Sequence, residues 1–538
     1  MRRMRRPTAG GLAILALGVV VLAVFLGAEA RLIPYLADDA FISLRYAQHL
    51  VQGHGLVYNV GERVEGYTNF LWTAVLALPF VLRLNPMLFV KFTSVALTLG
   101  SAALVWRLGI AARLLPAGFG ASEPDAAPQG GPRPRKQRRA QVPTPAAAPL
   151  PTHDRALTWV PALLFLATPA VILAAADGLE TPMFVFLLLL ALVWFFEERE
   201  GRGFPRSALA LAALAMTRPD GIPFGLFLLG VAAIERRPRP YLLAFGAAFL
   251  GATAAYQLVR TLYYGYPLPN TFYAKGAGGP LLARGWSMLG GFAAQNGAWA
   301  WIAMLPAFVS RRTRAAALVL AGVLLLRIGF HVWAGGPWQV GRDRFLVPTL
   351  PLIHLLVVVG LAALLRHTRA RAAAVTMAAA LLLVPGWSAY PRTERISLGY
   401  SRALMRAHIP LGLEIRARTA PEAVIAMDDA GAGPYFSERT NIDMLGLNDA
   451  HIGHLPGRFL EKFDVRYVLS RRPDLVVLLA LVEHPATEAD FRLPGHGAMF
   501  RDPEFRARYV FARSFMFAPN YRLQVFRRSD SRAVPPDF

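Results

Sequence analysis

The residues best suited to chemistry are two adjacent carboxylates, Asp38 and Asp39, just past the first long apolar run. A carboxylate within hydrogen-bond reach of a hydroxyl, its proton affinity tuned by burial and neighbours, acts as a general base. Oxygen ligation of a hard cation is a second use of such a pair, and simple solvation of a loop is a third. The loop that carries them reads LADDAFISLRYAQHLVQGHGLVYNVGERVEGYTN. It adds Arg45, His49, His54, Glu62, Arg63, Glu65 and Asn69 among Tyr46, Tyr58 and Tyr67. Polar and aromatic groups at that density suit carbohydrate binding, with Arg45, His54, Glu65, Tyr67 and Asn69 as candidate contacts.

Four further segments interrupt apolar runs with charge. ADGLETP carries Asp177 and Glu180, which are either solvated at a helix end or contacts for a sugar. TRPDG carries Arg218 and Asp220. Charge at membrane depth is costly, so these two are either functional or paired with each other. YYGYPLPNTFYAK adds Asn270, Tyr273 and Lys275. An interfacial aromatic belt accounts for its tyrosines but not for the Asn and Lys. GGPWQVGRDRFLVP adds Trp338, Arg342 and Arg344. Arginine clamps phosphate through paired hydrogen bonds, and Arg342, Arg344 and Lys275 are the candidate phosphate-binding cations. His331, His354 and His367 stand singly, and no spacing of His or carboxylates reads as a zinc site. No Walker-type glycine loop is present, so ATP is not the energy source.

The elements that must hold these residues are membrane spans. Of 538 residues, 55% are hydrophobic, against about 45–50% in soluble chains. The excess sits in long runs with no polar stripe at helical period. The formal net charge of +23 comes from basic clusters between those runs, such as Arg2–Arg6, Arg133–Arg139 and Arg366–Arg371. That placement follows the rule that basic loops stay in the cytoplasm, rather than marking nucleic-acid binding. There are no cysteines, which excludes disulfides and thiolate metal sites.

Spans are expected at about 9–29, 86–110, 157–176, 182–197, 206–217, 221–235, 240–262, 286–308, 314–333, 344–365 and 372–390, eleven in all. The N-terminus then lies in the cytoplasm, loop 30–69 outside, and the short run 70–84 in the interface. Loop 113–155, rich in Pro, Ala, Gly and Arg, is expected to be cytoplasmic and disordered. Residues 1–390 form the membrane domain. Residues 391–538 read as an exported soluble α/β domain, with β-like runs at Ala423–Met427, Tyr467–Leu469 and Tyr521–Phe526.

The first loop resembles the first outer loop of membrane glycosyltransferases of the GT-C class. It looks most like the branch containing the terminal arabinofuranosyltransferases of mycobacterial cell-wall polysaccharides. GLETP, TRPDG, YGYPLPNTFYAK, GRDRFLVP and IDMLGLNDAHI are similar to other blocks of that group, so the resemblance covers most of residues 10–460. The Pro/Arg-rich insertion 113–155 departs from it. The resemblance implies a polytopic α-helical fold with a large outer loop and an exported C-terminal domain that holds the acceptor glycan. It implies a polyprenyl-phosphate sugar donor, with arabinofuranose the expected sugar, and a catalytic acidic pair that falls here on Asp38 and Asp39.

The expected reaction is an inverting displacement on the outer face of the bacterial inner membrane. Asp38, preferred over Asp39, takes the proton of the acceptor hydroxyl. The acceptor oxygen attacks the anomeric carbon, and Arg342 with Arg344 stabilises the departing phosphate. The acceptor is an envelope polysaccharide, lipid or protein. No cofactor is needed, with metal assistance the alternative use of the pair. A transporter or flippase of lipid-linked sugars is the competing reading. It would show paired halves with interrupted helices in matching positions.

Overall fold

The computed structural model describes residues 9–115, 157–276, 281–337, 343–365 and 368–538. The expected cytoplasmic loop 113–155 lies almost wholly outside them, as do Trp338 and Arg342.

Each expected span has a helical counterpart. Among the described residues, six helices are long and apolar enough to cross a membrane: Leu12–Arg31, Pro86–Ala111, Arg239–Tyr264, Arg314–Ala334, Val347–Leu364 and Ala370–Arg418. A seventh is made if Leu157–Ala167 and Pro169–Ala176, bent by 56°, count as one. The bend sits where Pro169 lacks an N–H and forces Thr168 into extended backbone. The remaining apolar helices, Thr181–Glu197, Arg206–Thr217, Pro219–Ile234 and Ala298–Val309, are shorter. Segment 70–84 forms two short helices, Phe70–Val75 and Leu78–Val81. On Ala9–Arg31 the side chains of Leu15, Val19 and Val20 are more than half exposed. A polytopic membrane protein presents such a surface to lipid rather than to water.

Helix Thr368–Arg406 runs unbroken through the expected domain boundary at 390/391, with Pro385 and Pro391 inside it. Beyond it lies a five-stranded sheet: β1 (Val424–Met427), β2 (Thr440–Asp443), β3 (Leu475–Ala480), β4 (Tyr509–Ala518) and β5 (Tyr521–Arg528). The order is β2-β1-β3-β5-β4. β1 pairs in parallel with both β2 and β3, β3 is antiparallel to β5, and β4 and β5 form a hairpin around Pro519 and Asn520. Alternate side chains face two cores. Ala426, Ile442, Val476 and Leu478 point to one, and Ile425, Met427, Leu475 and Val477 to the other.

The run Tyr467–Leu469, expected as a strand, is instead part of helix Val465–Ser470. Asp464 caps it by accepting the Tyr467 N–H, and Val465, Val468 and Leu469 repeat at helical spacing on its inner side.

Candidate active site

The acidic doublet opens helix Asp38–Val51. Carboxylates are favoured in a first turn, where free N–H groups carry partial positive charge. The two side chains face different surroundings. Asp38 is buried and reaches the C-terminal sheet domain: Oδ2 accepts the Gly431 N–H at 3.1 Å and Oδ1 the Ala432 N–H at 2.8 Å. Position 431 must be glycine, because a Cβ there would overlap Asp38 Cγ and Oδ2. Burial, with the Asp429 carboxylate nearby, pushes the Asp38 carboxyl up to about 7. Asp39 is half-buried, and no described residue hydrogen-bonds or ion-pairs with its carboxylate.

Asp39 faces cations. Lys275, at the end of helix Asn270–Gly276, lies within electrostatic reach of Asp39, Arg344, Arg218 and Asp443. Burial lowers its ammonium below the ordinary lysine range. Arg344 is within reach of both Asp177 and Glu180. Its Nε and Nη1 are buried without a hydrogen bond to any described residue. Arg344 also lines a small open cleft together with Leu173, Asp177, Phe292, Asn296, Asp343 and Val347. A cleft of mixed polar and apolar lining with an unsatisfied guanidinium can receive an anionic group such as a phosphate. Asp177 is pushed up to about 7 by burial, against the pull of Arg344. Burial also works to raise Glu180, but Arg344 and Arg218 overcome it and hold the carboxyl at about 2.

Beside this group lies a buried ion network. Arg218 Nη1 donates to Glu180 at 2.5 Å and its Nε to Asp220 at 2.8 Å. Asp220 pairs in turn with Arg327. Asn69 Nδ2 donates to Glu180 at 3.0 Å, while Ser43 and Thr73 donate to Asn69 Oδ1. Glu180, Arg218, Asp220 and Asn69 are thus engaged with one another.

Other expected contacts serve the fold. Arg45 is buried, with Nε on the Tyr58 carbonyl at 2.7 Å, Nη1 on the Pro434 carbonyl and Nη2 on the Arg439 carbonyl at 2.6 Å. It staples the first loop to the C-terminal sheet domain, and with Nη2 also on Asn59 Oδ1 four of its five N–H groups are engaged within the protein. Asn270 does the same through the carbonyls of Gly446, Leu447 and Asp449, and Tyr273 stacks on His454 with centroids 4.2 Å apart. Glu65 is clamped by Arg260, and the Tyr67 hydroxyl meets that of Tyr264 at 3.1 Å. His54 is exposed, edge-on to His49.

Sequence reasoning missed the second doublet, Asp428-Asp429, directly after β1. Its signal is present in AMDDAGAG, an acidic pair followed by glycines at a strand end. His408 Nε2 sits 2.6 Å from Asp429 Oδ2. Burial works to raise Asp429, but His408 and its hydrogen bond hold the carboxyl below the ordinary value. Arg327 was also missed, as a lone charge inside an apolar helix. Among the described residues, no three of His, Asp and Glu converge as ligands for a metal ion.

Comparison with known proteins agrees with this architecture. A family model described as a domain of unknown function (DUF8728) matches residues 399–532. A terminal beta-(1->2)-arabinofuranosyltransferase of Mycobacterium tuberculosis is 29% identical over 296 residues, 53% of this chain and 42% of the relative. Its namesake from Corynebacterium glutamicum is 28% identical over 301 residues, 50% of this chain and 37% of the relative. The matches thus span less than half the length of these relatives. Among solved structures, ArnT from Cupriavidus metallidurans bound to undecaprenyl phosphate superposes with a TM-score of 0.55 at 14% identity, covering 98% of this chain and all of that one (100%). Its apo form gives 0.51 at 15% identity, covering 96% and 98%. The likeness to ArnT is one of fold, and that to the arabinofuranosyltransferases is one of sequence. Together they bear out the resemblance to GT-C membrane glycosyltransferases, and to their terminal arabinofuranosyltransferase branch.

Proposed function

We propose that this chain is a glycosyltransferase that moves a sugar, arabinofuranose first among candidates, from a polyprenyl-phosphate donor to an envelope glycan. The proposed topology has eleven crossings of the inner membrane, a cytoplasmic N-terminus and an exported domain at 391–538. The observation that carries the reading is an unbonded carboxylate, Asp39, within electrostatic reach of Lys275, which in turn lies within reach of Arg344, both cations free of hydrogen bonds to described residues. A base and a phosphate clamp are what the transfer requires.

The role of base, expected for Asp38, passes to Asp39 in this proposal, because both Asp38 oxygens already accept backbone N–H groups. Asp39 takes the proton from the acceptor hydroxyl as its oxygen attacks the anomeric carbon. The bond from that carbon to the phosphate oxygen breaks, and polyprenyl phosphate leaves. Arg344 and Lys275, with Arg342 as a third candidate, offset the negative charge on the leaving group.

The test uses the full chain in lipid nanodiscs with radiolabelled polyprenyl-phosphate arabinofuranose and an arabinan acceptor. Label should move to the glycan. Asp39→Asn should lower the rate by about 10²–10⁴, the usual contribution of a base, with donor binding unchanged. Label that crosses a vesicle membrane without joining glycan would support a flippase and refute the proposal. The product's anomeric configuration reports the chemistry: a single displacement inverts it, and retention would require a carboxylate nucleophile.

A further inference from the structure

The second doublet occupies a particular place in the sheet. β1 lies between β2 and β3 and runs parallel to both. The chain leaves β1 for β2 on one side of the sheet and leaves β3 for β4 on the other, and open α/β sheets bind ligands in the crevice formed at such a reversal. Asp428 and Asp429 stand at the carboxyl end of β1, and Asp443 ends β2 beside them. The crevice is turned toward the membrane domain, since Asp38 bonds the backbone only two and three residues beyond Asp429.

The four carboxylates around this junction have different fates. Asp38 is occupied by backbone, and Asp443 by the N–H groups of Leu445 and Asn448. Asp428 is enclosed, with His496 too distant at 3.9 Å to hydrogen-bond. Asp429 alone of these keeps an accessible side chain, 34% exposed, while its partner His408 is 1% exposed. His408 engages Oδ2 only, and Oδ1 accepts no hydrogen bond from any described residue. An enclosed imidazole thus fixes a carboxylate whose second oxygen is open toward the site.

We propose that Asp429, oriented by His408, receives the acceptor, its open oxygen taking a hydrogen bond from a hydroxyl of a neutral glycan end. This rests on the transferase reading above. A carboxylate held low by an imidazole is a poor base and a good hydrogen-bond acceptor, so Asp429 binds while Asp39 removes the proton. The Asp429 carboxylate, with Asp39 close to the same junction, selects against phosphate- or uronate-bearing acceptors, which would meet it with like charge. His408 is a positioning residue that acts through Asp429.

The experiment uses the full chain in nanodiscs and two probes: the octyl glycoside of an arabinofuranose disaccharide, and a counterpart ending in a uronic acid. Saturation-transfer NMR reads binding without turnover, and initial rates give separate KM values for acceptor and donor. Asp429→Asn should raise the acceptor KM about tenfold to hundredfold, as expected for one hydrogen bond to a charged group. It should weaken saturation transfer in parallel and leave the donor KM unchanged. Asp429→Glu should restore part of the loss. His408→Gln should raise the acceptor KM less, and add nothing in the Asp429→Asn background. The proposal is overturned if Asp429→Asn leaves acceptor KM and saturation transfer at wild-type values, if only kcat falls, or if the uronate probe binds as well as the neutral one. If the wild-type chain binds neither probe, the acceptor assignment falls as well. Binding of the neutral probe that depends on Asp429, without any transfer of label, would keep this inference and sink the catalytic reading alone.

Discussion

Replacing each member of the first doublet by asparagine should separate a clamp from a base. The Asp38→Asn side chain keeps the native shape, and its one remaining oxygen can still accept the Ala432 N–H, 2.8 Å away in the native pair. Its amide nitrogen, however, meets the Gly431 N–H, donor against donor, where Oδ2 now accepts at 3.1 Å. A hydrogen bond to a charged group contributes roughly 1.5–3 kcal/mol. Part of that is offset by the cost of burying the charge, which shows in the carboxyl being pushed up to about 7. A net loss of about 2 kcal/mol is expected, or a roughly thirtyfold shift in the docking equilibrium. Hydrogen–deuterium exchange over residues 429–437 should therefore accelerate by about that factor in Asp38→Asn. In Asp39→Asn it should not change. Gly431→Ala should reproduce the Asp38→Asn exchange pattern, because the added Cβ strikes the same carboxylate. Transfer should fall by about 10²–10⁴ in Asp39→Asn, and in Asp38→Asn only in proportion to undocking. Native exchange in Asp38→Asn, together with a rate as low as that of Asp39→Asn, would show that Asp38 is the base and refute the division of roles.

Three other outcomes follow from the geometry. Arg344→Ala should raise the donor KM and reduce retention of polyprenyl phosphate in native mass spectrometry. Arg344→Lys should recover only part of it, since a point charge lacks the guanidinium fork; an unchanged donor KM would remove Arg344 from the phosphate site. Asp220→Ala leaves Arg218 and Arg327 buried and short of a partner. Breaking such a network costs about 3–5 kcal/mol, so a melting temperature equal to wild type would show that the network is not formed. Thermal stability should also have two pH limbs. Asp38, Asp177 and Asp443 are raised by burial to about 7. Their contribution is complete below about pH 4 and is lost as pH rises through 7. Glu180 is depressed to about 2, so its contribution is present above about pH 4.5 and is lost as pH falls toward 2. Asp177→Asn should flatten the upper limb and Glu180→Gln the lower, and melting curves unchanged by either would contradict these assignments.

The position of the first doublet was legible because composition alone marks where an apolar run ends and a polar loop begins. Which carboxylate is free was not legible, because the answer lies in backbone N–H groups some 390 residues away. Arg45 shows the same limit. Its residue type suits sugar binding, but most of its donors go to the carbonyls of Tyr58, Pro434 and Arg439 and to Asn59, and no local pattern reveals the two distant ones. The pairing in TRPDG was readable from proximity, whereas its extension to Glu180 and Arg327 was not. The spans were readable as apolar runs. Their lengths were not, since helices such as Arg206–Thr217 end at charges that the surrounding protein shelters. The second doublet was less legible, because AMDDAGAG lies in a stretch of mixed polarity where a pair of carboxylates has no long apolar run to stand out against.

The staples between the two ends of the chain bear on how the molecule is made. Arg45, Asn59 and Asn270 find partners at Pro434, Asn441 and Gly446, which leave the ribosome long after them. Under the proposed topology, a nascent chain that has inserted all its spans still carries Arg45, Asn59 and Asn270 in outer loops without these distant partners. The three meet them only when the final segment has been secreted and has folded back. A polypeptide that stopped short of residue 431 would carry Asp38 without the Gly431 and Ala432 N–H groups that hold it in the whole chain.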